Sequence, residues 1–159
     1  MVKKAQAAME FLMTYGWAIL VVLVIIGALG YFGVLSPTAL LPEKCIFGVE
    51  LACKDHKLGA EGKVEMRLQN NLGETMYISQ IKVLQDDRVS TLCTQKNDPG
   101  TVLGNGQTAS FAVSGCSLLS SLENQKIKVY VQVSYAKGAA TGLPHRVEGE
   151  IFSLVQPAP

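Results

Sequence analysis

Two periods divide the chain. From Phe11 to Leu35 the run FLMTYGWAILVVLVIIGALGYFGVL carries no charged residue. As a helix it would extend roughly 37 Å, more than the ~30 Å hydrocarbon core of a bilayer. Apolar runs in the buried core helices of soluble proteins are shorter, about 10 to 14 residues. A secretory signal has an apolar region of only about 7 to 15 residues and then a small-residue cleavage site, which Pro37-Thr38-Ala39 does not resemble. The pattern predicts a helix inserted in a membrane.

Beyond this run the period falls to two. Val64, Met66 and Leu68 alternate with Lys63, Glu65, Arg67 and Gln69, and Asn70 to Glu74 supply a turn. Met76 and Ile78 resume the alternation, but Ile81 and Val83 are out of phase with them, which predicts a bulge around Gln80. Ala109, Phe111 and Val113 follow the turn signal Leu103-Gly104-Asn105-Gly106. The clearest strand carries Ile127, Val129, Val131, Val133 and Tyr135 on one face, with Lys126, Lys128, Gln132 and Ser134 on the other. A last strand runs from about Arg146 to Val155, after a Gly/Ala/Pro loop from Lys137 to Pro144. Leu118 to Leu122 is the only helical hint. Short strands at regular spacing, with no long amphipathic helix between them, predict an antiparallel β-sandwich. The fold class is therefore α+β: a long N-terminal hydrophobic helix followed by an all-β antiparallel sandwich head of six or seven strands.

The flanks of the apolar run give it a direction. Lys3 and Lys4 are the only charges before Glu10, and positive residues in short segments stay cytoplasmic. The N-terminus is expected inside and everything after Leu35 outside. Within the run Gly27, Gly30 and Gly33 recur near one helix face, where small residues let a second helix approach closely. Ser36 to Pro42, with prolines at both ends, reads as a stiff connector in a linker of residues 36–44. The head is expected over residues 45–155, and Gln156-Pro157-Ala158-Pro159 as a loose tail.

Composition narrows the chemistry. The chain has 159 residues and a formal net charge of +1; its 14 basic side chains fall to 12 without Lys3 and Lys4, against 13 acidic ones. No basic field remains to attract nucleic acid. Four cysteines, Cys45, Cys53, Cys93 and Cys116, all fall on the expected outer side, where an even count favours disulfides. Three connectivities are open. Cys45 to Cys53 with Cys93 to Cys116 is preferred, although an extended Cys45–Cys53 segment would hold its ends ~26 Å apart, so a turn is required, for which Gly48 is available. Zinc held by these cysteines with His56 is disfavoured for want of paired short-spaced ligands. His56 and His145 have no nucleophile motif beside them. Asp86-Asp87 and Asn97-Asp98 lack the alternation of a calcium loop and read as solvated turns. No catalytic residue, metal or cofactor is expected.

Glu10 stands out, because a carboxylate at the centre of a membrane helix would cost about 2.5 to 3.5 kcal/mol on insertion scales. At the edge of the run, six residues after Lys4, it can sit among lipid headgroups. The stretch Lys3-Lys4-Ala5-Gln6-Ala7-Ala8-Met9-Glu10-Phe11-Leu12, running into the apolar helix, resembles the class III signal peptide of archaeal type IV pilin-like proteins. The likeness covers about thirty N-terminal residues, with Ala5 standing where the commonest bacterial pattern has glycine. It implies a leader of residues 1–5 removed by a prepilin peptidase between Ala5 and Gln6, and a helix of residues 6–35 retained in the mature subunit. Glu10 would then be the fifth mature residue, the family's hallmark position, setting register against the new α-amino group of a neighbouring copy. The resemblance also implies an assembly platform protein and a cytoplasmic assembly ATPase as partners, and surface adhesion as a use.

Two functions follow from what the helix is for. In the first, the chain is extracted from the membrane and stacked through its helix, with copies of itself, into a surface filament. In the alternative, the helix stays as an uncleaved anchor and the head is an extracellular binding domain that does not polymerise.

Overall fold

The computed structural model describes residues 2–33 and 41–158, the side chains of residues 2–8, 12 and 96–100 excepted. It resolves into two units, Met1–Leu41 and Pro42–Pro159, each taken by itself below.

Among the described residues of the first unit there is one helix, α1 (Val2–Tyr31), 30 residues long. It is rich in Ala and Leu, strong helix formers, and also carries the weaker β-branched formers Val and Ile. Its end is set by Gly33, whose φ of 70° is a left-handed conformation that residues with a side chain rarely adopt. The amide of Phe32 donates to the Ala28 carbonyl at 3.0 Å, and that of Gly33 to Gly30 at 3.1 Å. The helix thus ends before Gly33, which follows it in a turn, and residues 34–35 of the expected range lie outside the described residues.

The second unit is mostly β. Its strands are β1 (Lys44–Phe47), β2 (Leu51–Gly59), β3 (Lys63–Asn70), β4 (Met76–Leu84), β5 (Thr91–Leu103), β6 (Thr108–Ser114), β7 (Lys126–Lys137) and β8 (Pro144–Gln156), with a 3-10 turn at Ser117–Ser121. They form a curled sheet in the order β5-β4-β7-β8-β2-β3-β6, with β1 added beside β8. Pairing is antiparallel except where the end of β8 meets β2 in parallel, Leu58 opposite Val155 and Gly59 opposite Gln156. That parallel contact takes Gln156, expected in the loose tail, into a strand.

The bulge expected near Gln80 is present. The register of β4 against both neighbours shifts between Ile78 and Gln80, so the inward side chains change from Met76 and Ile78 to Ile81 and Val83. Asn97 and Asp98, expected in a turn, lie within β5 by backbone, where the pairing jumps from Gln80–Lys96 to Ile78–Thr101. β1, β2 and β5 had no clear two-residue alternation in sequence.

One core fills the curl. Leu58, Val64, Leu68, Met76, Ile78, Ile81, Val83, Val113, Val131, Val133, Ile151 and Val155 are fully buried in it. Burying each aliphatic side chain is worth about 1.5 to 3 kcal/mol, which is what holds the alternating faces inward. Asn70 is buried among them and closes two turns at once. Its Nδ2 donates to the carbonyls of Glu74 at 2.8 Å and Leu103 at 2.7 Å, and its Oδ1 accepts from the Leu72 amide at 2.8 Å.

Candidate functional site

The feature with the most unsatisfied surface is α1. Met13–Tyr31 has a mean hydropathy of 2.2 and none of it is buried. A helix that is apolar all round and uncovered is unstable in water, so this segment needs lipid or protein around it. By length and composition it is long enough to cross a membrane. Phe11 and Tyr15, one turn apart, bring their rings to 4.8 Å, beside a shallow concavity that Ala18, Ile19, Val22 and Leu23 continue. Gly27 has nothing within 4 Å of where a Cβ would stand, apart from its own stretch of helix, so among the described residues no side chain uses the space that glycine leaves.

Glu10 lies at the polar edge of this surface and is exposed. Its backbone carbonyl accepts from Thr14 Oγ1 at 2.8 Å, which satisfies the hydroxyl of the only threonine in the helix and leaves the carboxylate outward. Ala5 and Gln6, the expected cleavage pair, stand within α1; their side chains lie outside the described residues. Gly30 is also within α1. The expected linker falls largely on residues 34–40, outside the described part.

The cysteines pair as Cys45–Cys53, with α-carbons 5.9 Å apart, and Cys93–Cys116, 4.8 Å apart. Gly48 supplies the turn between the first two, with the Leu51 amide donating back to its carbonyl at 3.3 Å. Each bridge joins parts of the sheet that no ladder joins. Cys45–Cys53 ties β1 to β2, which flank successive parts of β8, and Cys93–Cys116 ties β5 to the segment after β6, the two ends of the sheet order. The second bridge therefore closes the curl.

Around the first bridge His56 joins two of the cysteines with which it was weighed as a zinc ligand. A register shift between Cys53 and Asp55 places one extra residue in β2. Side chains three apart on a regular strand point to opposite faces, but a bulge restores the phase, so Cys53 and His56 share the inward face. The Sγ atoms of Cys45 and Cys53 and an imidazole nitrogen of His56 lie within 4.8 Å of one another. The spacing Cys53-x-x-His56 was the available signal. Beside this group is an open cleft of about 340 Å³, lined by Asp55, Lys57, Glu65 and Arg67 among others, whose charges offset in sign. His145 is elsewhere, exposed and stacked on Tyr135 with ring centroids 5.5 Å apart.

A second polar group sits on the outer face of β7 and β8. Arg88, in the β4–β5 turn, lies over the Tyr130 ring at 4.1 Å and donates to its hydroxyl at 3.1 Å. Lys128 pairs with Asp86 at 3.0 Å, and that hydrogen bond, followed by the one to Tyr130, raises its pKa. Asp87 holds the turn: its Oδ1 accepts from the amides of Val89 and Ser90, both at 2.9 Å, and its Oδ2 from Ser90 Oγ at 2.6 Å. The Ser90 hydroxyl first, then these amides, keep the Asp87 carboxyl below the usual carboxylate range. Hydrogen bonding to Lys44 does the same for Glu150. Asp86 and Asp87 are thus engaged by the chain itself, Asp86 through Lys128 and Asp87 within the turn.

No protein-family model and no curated protein matches the chain. Among solved structures it is similar to the solution structure of a late embryogenesis abundant (LEA) protein, at 13% identity over 90% of this chain and 89% of that one, with a TM-score of 0.29. At that score the likeness carries no argument about fold or function.

Proposed function

We propose that the chain is a structural subunit of a type IV pilin-like surface filament, assembled through α1 and serving surface adhesion, and that it is not an enzyme. The observation that carries this reading is the uncovered Met13–Tyr31 segment with an acidic residue, Glu10, just before it. Such a helix is stable in a bilayer, and it is equally stable among copies of itself, where close packing at Gly27 and Gly30 replaces lipid contacts. Glu10 favours the second partner. In lipid its carboxylate gains nothing, whereas in a bundle it compensates the α-amino group of a neighbour cut before Gln6 and penalises misregistered neighbours.

The remaining assignments follow the N-terminal resemblance. A prepilin peptidase removes residues 1–5, a platform protein and a cytoplasmic ATPase drive extraction, and the precursor waits in the membrane with its N-terminus inside and its head outside. In the filament the β unit faces outward as a two-layer sandwich, β5-β4-β7-β8-β1 against β2-β3-β6, the layers joined by the short β8–β2 pairing and by the two disulfides. Two covalent ties suit a small domain exposed outside the cell.

Fractionation with intact mass tests the proposal. Chains beginning at Gln6 in sheared extracellular material are the expected result. Chains beginning at Met1 and confined to membranes would instead establish the uncleaved anchor, with the head as a binding domain that does not polymerise.

A further inference from the structure

The disulfide joining β1 to β2 lies against the imidazole of His56. His56 Nε2 is buried and has no hydrogen-bond partner. A buried polar atom left in that state carries an uncompensated desolvation penalty, which a ligand would relieve. The backbone amide of His56 donates to Asp55 Oδ1 at 2.9 Å, and the bulge at Cys53/Asp55 keeps the ring on the same inward face as Cys53. Both sulfurs and one of the two imidazole nitrogens lie within 4.8 Å of one another. In tetrahedral coordination Zn–S and Zn–N bonds place such donor atoms ~3.6 to 3.8 Å apart. The cluster therefore needs a local adjustment and no rearrangement of strands.

We propose that Cys45, Cys53 and His56 form a latent Zn²⁺ site, opened when the Cys45–Cys53 disulfide is reduced, in which the ion holds β1 to β2 in place of the covalent bond. Two thiolates and one imidazole are a donor set that Zn²⁺ favours, with the fourth position left to water. In the oxidised chain the sulfurs are bonded to each other and supply no thiolate, so the site is closed. Reduction breaks the S–S bond: a dithiol delivers two electrons and two protons and becomes a cyclic disulfide, or a phosphine takes up water's oxygen and becomes a phosphine oxide. Either way two thiols result. Zn²⁺ then displaces the two thiol protons to solvent and forms two Zn–S bonds and one Zn–N bond, with no further redox change. The strand junction is thereby kept wherever thiols stay reduced.

Cys93–Cys116 provides an internal control, since no histidine or further cysteine is grouped with it among the described residues. The full chain in detergent micelles is reduced with a phosphine, desalted without oxygen and titrated with Co²⁺ as a spectroscopic stand-in for Zn²⁺. The reduced chain is expected to bind one equivalent, with thiolate-to-cobalt charge transfer and the visible bands of a tetrahedral site, and the oxidised chain to show neither. His56→Ala is expected to weaken binding at least about tenfold, the scale of loss when a metal site's supporting groups are removed. Zn²⁺ is expected to slow alkylation of Cys45 and Cys53, mapped by mass spectrometry, and to leave Cys93 and Cys116 at their metal-free rates. The alkylation map reads the site even if the variant folds poorly. Equal alkylation of all four cysteines with and without Zn²⁺, or cobalt binding without thiolate charge transfer, would overturn the proposal.

Discussion

Asn70 shows how a single polar side chain organises the β unit. It is fully buried, at 0% exposure, and its three side-chain hydrogen bonds reach two different turns. Its backbone adds two more, donating to Gln107 at 3.0 Å and accepting from Gly106 at 2.8 Å. Asn70→Ala removes the side-chain partner of three backbone groups, that of Leu103 buried and those of Leu72 and Glu74 partly so, and is expected to destabilise the unit by about 2 to 4 kcal/mol in denaturant unfolding. The sequence marked Asn70 only as turn chemistry, because burial of an asparagine is invisible until both turns are placed around it. Tyr135, 3% exposed, gives a pH signature. Burial first, then Glu50 and Glu74, pushes its phenol up. The folded chain then keeps the proton where the unfolded chain has begun to lose it, so the stabilisation is complete below the unfolded pKa of about 10 and declines as pH rises through the folded value. Replacement by Phe is expected to flatten the alkaline fall in unfolding free energy; an unchanged slope would assign that fall to other groups.

At the scale of elements, legibility depended on how each strand is covered. β3, β6, β7 and β8 have one face on the core and one toward solvent, and their alternation was readable from residues such as Val64, Phe111, Val131 and Ile151. β4 was readable together with its bulge, because Ile81 and Val83 changed phase. β2 and β5 were not. In β2 the Cys53/Asp55 bulge breaks the period within the strand, and in β5 the jump between Lys96 and Thr101 does the same. The parallel contact of β8 with β2 depends on the closed curl, a long-range property that a two-residue period cannot encode. The disulfides carry a prediction at this scale. Sequence separations of 8 for Cys45–Cys53 and 23 for Cys93–Cys116 imply chain-entropy contributions of about 2.5 and 3.5 kcal/mol. Paired Cys→Ser replacement is expected to cost more at Cys93/Cys116, measured as the fall in denaturation midpoint, and the reverse order would show that strain or residual structure outweighs loop closure.

For the whole molecule, the central contrast is between a β unit that satisfies itself and a helix that does not. The unit Pro42–Pro159 has its own core and its own ties. The helix has no buried residue in its apolar window, a property fully legible in sequence because it needs only length and the absence of charge. What covers the helix was not legible from periodicity, and the N-terminal motif with Glu10 supplies the direction. Glu10→Ala is expected to leave processing largely intact while reducing extracellular filament mass, since the carboxylate acts between copies and not at the peptidase. Filaments at wild-type levels from that variant would remove the register role. The most direct measurement is electron cryomicroscopy of filaments sheared from the cell surface, at a resolution that identifies side chains. The account predicts a core of packed Met13–Tyr31 helices with Glu10 facing the N-terminus of a neighbour and the β units outermost; filaments lacking this chain, or a chain found solely in the membrane with residues 1–5 attached, would contradict it.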